Sequence, residues 1–407
     1  MHIVITHTDF RLYWPARLND LKNLLSSKGH TLQIIEIAGK GSPYAFADKN
    51  SSSHSSDWLC LFPASKMETV SGKEASSALW QQLEKINPDV VLAGAIAFPS
   101  GATAVHWCKS RGKQVVIFDN ARLQDVPRSW LVNYIKRSVY RNVDAVISPA
   151  PSQAAAFEHW GVARERIFFG LNVIDNEWFS LRVEKYRHNL SQVRKELKLP
   201  KQFILGVGRL VDKKNWLTML EAFTRINLTD LNQKWFFVLI GEGPNKDLIE
   251  TYCIDKQIKN VVIRKFASQE TLCKYYACAS ALILPSKFGE TWGLVINEAM
   301  ASGLPVLSSD QCGCLESLVK DGKNGYVFAP DNSSEMQHAL QRFMNLDDAK
   351  RNAMGTRSKD IISNWSLNRF SQAALAAIEY TQQNPVPKRS IFDTIINANW
   401  KGRYRPT

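Results

Sequence analysis

SKFGETWGLVINEAMASGLPVLSSDQCGCLESLVKDGKNGYVF, residues 286–328, is the stretch that decides the fold of this chain. An apolar run at 281–284 precedes it and reads as a buried strand. Glu290 stands just before a tight Thr291-Trp292-Gly293 turn. Leu294, Val295 and Glu298 then recur at helical spacing, and Ser302-Gly303 ends that helix before a new apolar strand at 304–307. The order strand, loop, helix, strand is the building block of a doubly wound sheet. It puts Glu290 at the helix N-terminus and Glu298 about two turns inside. A loop at a helix N-terminus after a parallel strand is where such sheets bind anionic ligands. Carboxylates beside free backbone N–H groups suit a ligand with both hydroxyls and phosphates, such as a nucleotide sugar. The plain alternative is two solvated helix glutamates.

Outward from this stretch, short apolar strands alternate with helical patterns. Strands are predicted at 2–6, 32–37, 90–93, 115–118 and 145–148, with helices at about 16–28, 72–86, 101–111, 128–141 and 152–160. A second alternating set has strands at 203–207, 235–240, 261–263, 281–284 and 306–308. Such alternation predicts α/β domains with parallel sheets covered on both faces. The charged region 176–200 reads as the link between the sets, and 48–57 as a polar, serine-rich, mobile loop. Long helical patterns follow at 332–356 and 367–382, then a Pro385-Val386-Pro387 break and one more helix at 391–400.

A chain of 407 residues with 45% hydrophobic content can fill two sizeable cores. The opening MHIVITHT reads as a first strand rather than a signal peptide. The longest apolar candidate, 90–105, is broken by Gly94, Pro99 and Gly101, so no bilayer span is predicted. A cytoplasmic location is expected. Seven scattered cysteines lack zinc-site spacing and read as reduced, packed thiols. The net charge of +13 calls for an anionic partner. No nucleic-acid motif is present, which leaves an anionic membrane or an anionic substrate. The segment 127–142, PRSWLVNYIKRSVYRN, carries Arg128, Lys136, Arg137 and Arg141 and no acid. On a helix Trp130, Leu131, Tyr134, Ile135 and Val139 share one broad apolar face. That composition suits a helix in a lipid interface, or one that packs on the sheet with its charges solvated.

Four segments, in order and spacing, resemble the retaining GT-B glycosyltransferases of the family 4 type, over roughly residues 140–380. Glu290 and Glu298 match that family's E-x7-E signature. Gly208-Arg209-Leu210-Val211-Asp212-Lys213-Lys214 is similar to its G-R-L-x-x-x-K segment. Gly241-Glu242-Gly243 after an apolar strand looks like its G-x-G turn, and Asn172-Val173-Ile174-Asp175 with Phe179 resembles its domain-junction segment. The resemblance implies a GT-B architecture: two Rossmann-like domains with parallel sheets facing a cleft, at 1–175 and 190–384. A C-terminal helix at about 386–407 would cross back onto the first domain.

It also implies a retaining, metal-independent hexosyl transfer from a nucleoside-diphosphate sugar to a glycan or lipid-linked glycan. The setting would be cell-surface polysaccharide or lipopolysaccharide synthesis, on the inner face of the membrane. Arg209 and Lys214 would clamp the diphosphate, where fixed positive charge meets the growing charge of the leaving group. Arg209 offers a planar fork of donors and Lys214 a point charge. Glu290 would accept from sugar hydroxyls and Glu298 from the ribose. Gly208 and the Thr291-Trp292-Gly293-Leu294 helix start would line the donor site, with Phe266 facing the base. No cofactor and no metal enter this scheme. The phosphate itself would take the acceptor's proton.

The chain departs from the family at three points. The loop after the first strand, Thr6-His7-Thr8-Asp9-Phe10, has no glycine, which leaves a donor contact through Thr8 or Asp9. Asp119-Asn120 stand where many members carry a histidine; Asp119 could stabilise charge at the sugar or cap its own turn. Cys314 replaces the second glycine of a Gly-Gly pair. These departures keep open a second reading, a catalytically silent GT-B subunit that binds glycan or scaffolds a complex.

Overall fold

The computed structural model describes residues 1–40, 57–226, 235–386 and 391–402. Residues 48–56 of the serine-rich segment, Pro387, and the last five residues of the expected tail lie outside this set. The chain forms two compact units, one of residues 1–173 with 367–407, the other of residues 174–366.

The first unit holds β1 (His2–His7), β2 (Thr31–Lys40), β3 (Trp58–Lys66), β4 (Val90–Ala93), β5 (Gln114–Phe118), β6 (Ala145–Ser148) and β7 (Ile167–Phe169). Their order across the sheet is 3-2-1-4-5-6-7, and every pairing is parallel. The central strands read as unbroken apolar runs because helices cover both faces of a parallel sheet. The second unit holds β8 (Phe203–Val207), β9 (Phe236–Ile240), β10 (Val261–Arg264), β11 (Ala281–Leu284), β12 (Val306–Ser309) and β13 (Gly325–Phe328). Its order is 10-9-8-11-12-13, again all parallel. Each sheet thus repeats the 3-2-1-4-5-6 winding of a Rossmann-like domain.

Three strands escaped the sequence reading. β3 is a half-exposed edge strand interrupted by Pro63, so it shows no clean alternation. β7 has only three residues. β13 opens on Gly325, where a Cβ would lie 1.7 Å from the Val306 carbonyl oxygen; a glycine read as a loop signal is in fact required by strand pairing. The expected link at 176–200 is two helices of the second unit, Asn176–Arg187 and Leu190–Leu197, which bury Phe179, Val183 and Val193. The pattern at 332–356 divides into Ser333–Met344 and Asp348–Ile362, where the Asp347 side chain accepts from the Lys350 N–H at 2.7 Å and caps the second helix.

The chain returns to the first unit at Leu367, not at about 386. The helix Leu367–Gln383 packs on the helix Trp14–Ser27 and on β5, β6 and β7. Its Phe370, Ala374, Ala377 and Ile378 are fully buried, and this apolar stripe fixes the crossover earlier than the proline break suggested. Asp144, wholly buried, then binds both Lys109 Nζ at 2.6 Å and the Val386 N–H at 2.8 Å, and Trp400 Nε1 donates to the Ile96 carbonyl at 2.7 Å.

Candidate functional site

In the second unit the winding reverses between β8 and β11, the place where parallel α/β sheets form a ligand crevice at the carboxyl ends of their strands. The loop after β8 carries Gly208, Arg209 and Lys214; the loop after β11 carries Ser286, Glu290, Thr291 and Trp292. The two loops are tied by the Lys287 N–H donating to the Lys213 carbonyl at 2.8 Å. Lys214 Nζ forms an ion pair with Glu290 Oε2, and the two side chains are only 13% and 15% exposed. Ser286 Oγ donates to the same oxygen at 2.9 Å. Burial pushes the Glu290 carboxyl up, but the Lys214 charge and the hydrogen bonds from Lys214 and Ser286 outweigh it and hold the group below its ordinary value. The loop after β12 braces this turn: the Gly313 N–H donates to Glu290 O at 2.9 Å and the Cys314 N–H to Trp292 O at 3.1 Å. Cys314, in place of a glycine, is fully buried beneath the turn.

Glycines let the loops at this reversal pack closely. A Cβ on Gly241 would fall 1.9 Å from the Gly208 carbonyl oxygen, and one on Gly243 would fall 2.4 Å from that of Leu210. The β9 loop therefore nests under the β8 loop only because both positions lack a side chain. Arg209 is half-buried, and its carbonyl accepts from Trp216 Nε1 at 2.9 Å. Gly293 adopts φ +100° and starts the helix Leu294–Ala301, so Glu298 lies one turn in rather than about two. Trp292 is buried, its Nε1 donating to Asn297 Oδ1 at 3.0 Å. Glu298 is 1% exposed and accepts from the Tyr276 hydroxyl at 2.6 Å. Phe266 is half-buried in the loop that follows β10. Sequence reasoning missed Ser286 and Tyr276. Ser286 was legible four residues before Glu290; Tyr276 left no signal, because only tertiary packing brings it across 22 residues to Glu298.

The equivalent reversal in the first unit lies between β1 and β4. Here the loop closes on an aromatic cluster. His7 packs within 5.3–6.1 Å, centroid to centroid, of Phe10, Trp14, Phe98 and Phe118. Burial, with the Arg17 charge adding, pushes the His7 imidazole down to about 4. The glycine missing after β1 is found opposite: a Cβ on Gly94 would lie 2.4 Å from His7 Nδ1. Thr8 is buried, and its carbonyl accepts from the Ile37 and Ala38 N–H groups at 3.1 Å. His7 Nδ1 and the hydroxyls of Thr6, Thr8, Ser100 and Ser148 are buried without a hydrogen bond among the described residues.

Asp119 caps its own turn: Oδ1 accepts from the Ala121 N–H at 2.9 Å and Oδ2 from the Tyr140 hydroxyl at 2.5 Å. Tyr140 stacks on Trp160, and Lys136 Nζ sits 3.9 Å over the Trp160 ring. Burial lowers the Lys136 ammonium against the opposing pull of Asp119. Arg128 donates to the Arg122, Leu123 and Val126 carbonyls at 3.1–3.2 Å. Lys136 on the helix Trp130–Tyr140 and Arg128 just before it are therefore held against the Trp160 ring and backbone carbonyls, not simply solvated as the second of the two sequence readings had it. Among the described residues no group of three or more His, Cys, Asp or Glu could hold a metal ion. All seven cysteines are free thiols.

Two family descriptions match this chain: Glycosyltransferase Family 4 over residues 16–178 and Glycosyl transferases group 1 over residues 190–360. An uncharacterised glycosyltransferase of Methanocaldococcus jannaschii is 29% identical over 172 residues, which cover 42% of this chain and 43% of that protein. The chain thus spans less than half the length of that relative. A lipopolysaccharide core biosynthesis glycosyltransferase of Rhizobium meliloti is 25% identical over 260 residues, 63% of this chain and 67% of the relative. Among solved structures, an Anabaena protein in complex with UDP superposes with a TM-score of 0.71 at 15% identity, over 93% of this chain and all of that one. At that identity the likeness concerns the fold.

Proposed function

We propose, for a chain that belongs to the GT-B glycosyltransferases of the family 4 type, that it moves a hexose with retention from a nucleoside-diphosphate sugar to a hydroxyl of a glycan or lipid-linked glycan. The pairing of Lys214 with Glu290 at the β8/β11 reversal carries this reading. It sets a cation and a carboxylate side by side, at the start of a helix, where a sugar phosphate presents both of its characters. Arg209 and Lys214 hold the diphosphate, and the helix start at Gly293 adds backbone donors and its dipole. Lys214 has three donors, so it can serve Glu290 and an anion together. Glu290, kept ionised, accepts from sugar hydroxyls. Glu298, fixed by Tyr276, serves the ribose. With that positive charge in place the leaving phosphate needs no metal, and it takes the acceptor's proton itself. Replacing Arg209 with Ala should lower turnover by about 10² to 10³ and leave folding unchanged. Near wild-type turnover in the purified variant would end this assignment.

The acceptor side draws on the first unit, and we assign its surface a membrane role on the inner face of the bilayer. Trp130 is 80% exposed, and Leu131, Val132 and Tyr134 beside it are exposed as well. The helix Ile391–Asn399 packs against this helix and exposes Ile391 at 78% and Phe392 at 74%. Among the described residues no helix is long and apolar enough to cross a membrane. A ridge of this kind lies in the interface, with Arg137, still exposed, available to anionic headgroups. Changing Trp130 and Phe392 together to Ser should reduce flotation with phosphatidylglycerol vesicles by about tenfold or more, with donor binding intact. Equal flotation of variant and wild type would make the ridge a feature without a membrane function.

A further inference from the structure

The second unit has another cavity, at the opposite edge of its sheet. It measures about 610 Å³, within the range of small-molecule sites. Gln202, Ser280 and Pro305, which immediately precede strands β8, β11 and β12, form its floor. It therefore opens at the amino ends of strands whose carboxyl ends bear the Lys214–Glu290 pair. Strands of four and five residues intervene, a separation of about 15 Å at the usual rise.

The walls are strongly basic. Arg187, Arg194, Lys201, Arg351 and Lys359 line the cavity against one acid, Asp348, which lies 3.6 Å from Arg351. Arg187 is spoken for: it donates to the Ser302 carbonyl at 2.7 Å, at the end of the helix that bears Glu298, and lies 3.7 Å from Glu184. Arg194, Lys201 and Lys359 form no ion pair among the described residues, and Arg194 Nε is buried without a hydrogen bond. The walls are also built to approach closely. Gly355 lies so near the turn after Ser302 that a Cβ would fall 2.2 Å from the Gly303 carbonyl oxygen. Gly303 itself has φ +72°, and a Cβ there would fall 2.8 Å from Lys359 Cε. Lys359 thus lies across a glycine instead of extending into solvent.

Uncompensated cations around one concavity repel one another, and an anion between them relieves that cost. An arginine fork with lysine point charges is the donor set that phosphate oxygens favour. We propose that this cavity is a second anion site, separate from the donor site, that takes a phosphate-bearing ligand of about diphosphate or sugar-phosphate size. Such a ligand comes either from solution or as the headgroup of an anionic lipid.

Calorimetric titration distinguishes the sources. Inorganic pyrophosphate and monomeric dihexanoyl phosphatidylglycerol are titrated separately into wild type, into Arg209→Ala, and into the double variant Arg194→Ala/Lys201→Ala. Lys201 is exposed and Arg194 only part-buried, so the double variant keeps its core. With a soluble ligand class, wild type binds one more equivalent of pyrophosphate than the double variant does, and Arg209→Ala retains that equivalent. With a lipid source, the equivalent lost by the double variant is seen with the phosphatidylglycerol probe alone. In either case the cavity site weakens by about tenfold or more, and Arg194→Lys restores most of it. If the double variant binds both probes with wild-type stoichiometry and affinity, the cavity is not an anion site.

Discussion

The two units share one winding, 3-2-1-4-5-6, and fill its reversal point in opposite ways. In the second unit the reversal between β8 and β11 holds Lys214, Glu290 and Ser286, bridged by hydrogen bonds, and Gly241 and Gly243 let its loops pack closely. In the first, the matching position between β1 and β4 holds His7 among Phe10, Trp14, Phe98 and Phe118. One reversal is lined by an ion pair; the other is closed by aromatic packing. Topology therefore determines where a site can form, and the side chains at the strand ends decide whether it carries charge. The same principle separates the two carboxylates that sequence put forward in the two halves. Glu290 stays ionised because a cation faces it, whereas Asp119 is occupied by the Ala121 N–H and the Tyr140 hydroxyl.

The contrast is most directly broken at Lys214. Lys214→Ala should cut turnover by about 10² to 10³. It also leaves Glu290 with the burial that favours its neutral form, so the acidic limb of the rate profile should move to higher pH. A pH–rate profile superimposable on wild type would mean that the ion pair does not govern the site.

On the aromatic side, the charge that matters is one that burial holds off. The His7 imidazole titrates at about 4 in the folded protein and near 6.5 when unfolded. Between those values the unfolded chain binds more protons, so stability is complete above pH 6.5 and falls as pH drops toward 4. The loss should reach about 3 kcal/mol. Urea unfolding followed at pH 7, 5.5 and 4.5 should show this decline in wild type and a shallower one in His7→Asn. Parallel declines in the two proteins would relieve His7 of the role.

The glycines sharpen the comparison further. At Gly241 an added Cβ meets a backbone carbonyl, which cannot move aside; at Gly94 it meets the His7 ring, a side chain. Gly241→Ala should cost about 1–3 kcal/mol or more, and Gly94→Ala less. Thermal melts of both variants test the order, and a more stable Gly241→Ala than Gly94→Ala would reverse it.

The centres of both sheets were legible in the sequence. Buried parallel strands read as apolar runs, and β4, β6, β8 and β11 fall where those runs lie. The ends of the sheets were less legible. β3, β7 and β13 are edge strands: β3 is half-exposed, β7 has three residues, and β13, though mostly buried, opens on a glycine that reads as a loop signal. The crossover at Leu367 was hidden for another reason. An amphipathic helix announces that it must be covered, but not which unit covers it.

The sequence by itself determined the repeated alternation of strand and helix, the loop that bears Glu290, the helix that bears Glu298 and, through the family resemblance, the segment that bears Arg209 and Lys214. These are local matters: periodicity, helix starts and short motifs. Only the tertiary structure decided that Lys214 faces Glu290, that Tyr276 holds Glu298, and that Lys136 lies over Trp160 instead of facing solvent. It alone gathered Arg194, Lys201 and Lys359 at the far edge of the second sheet. The physical reason is that charge and hydrogen-bond partners act through space over a few ångströms, and residues 22 to 165 positions apart come that close only after the sheets have formed.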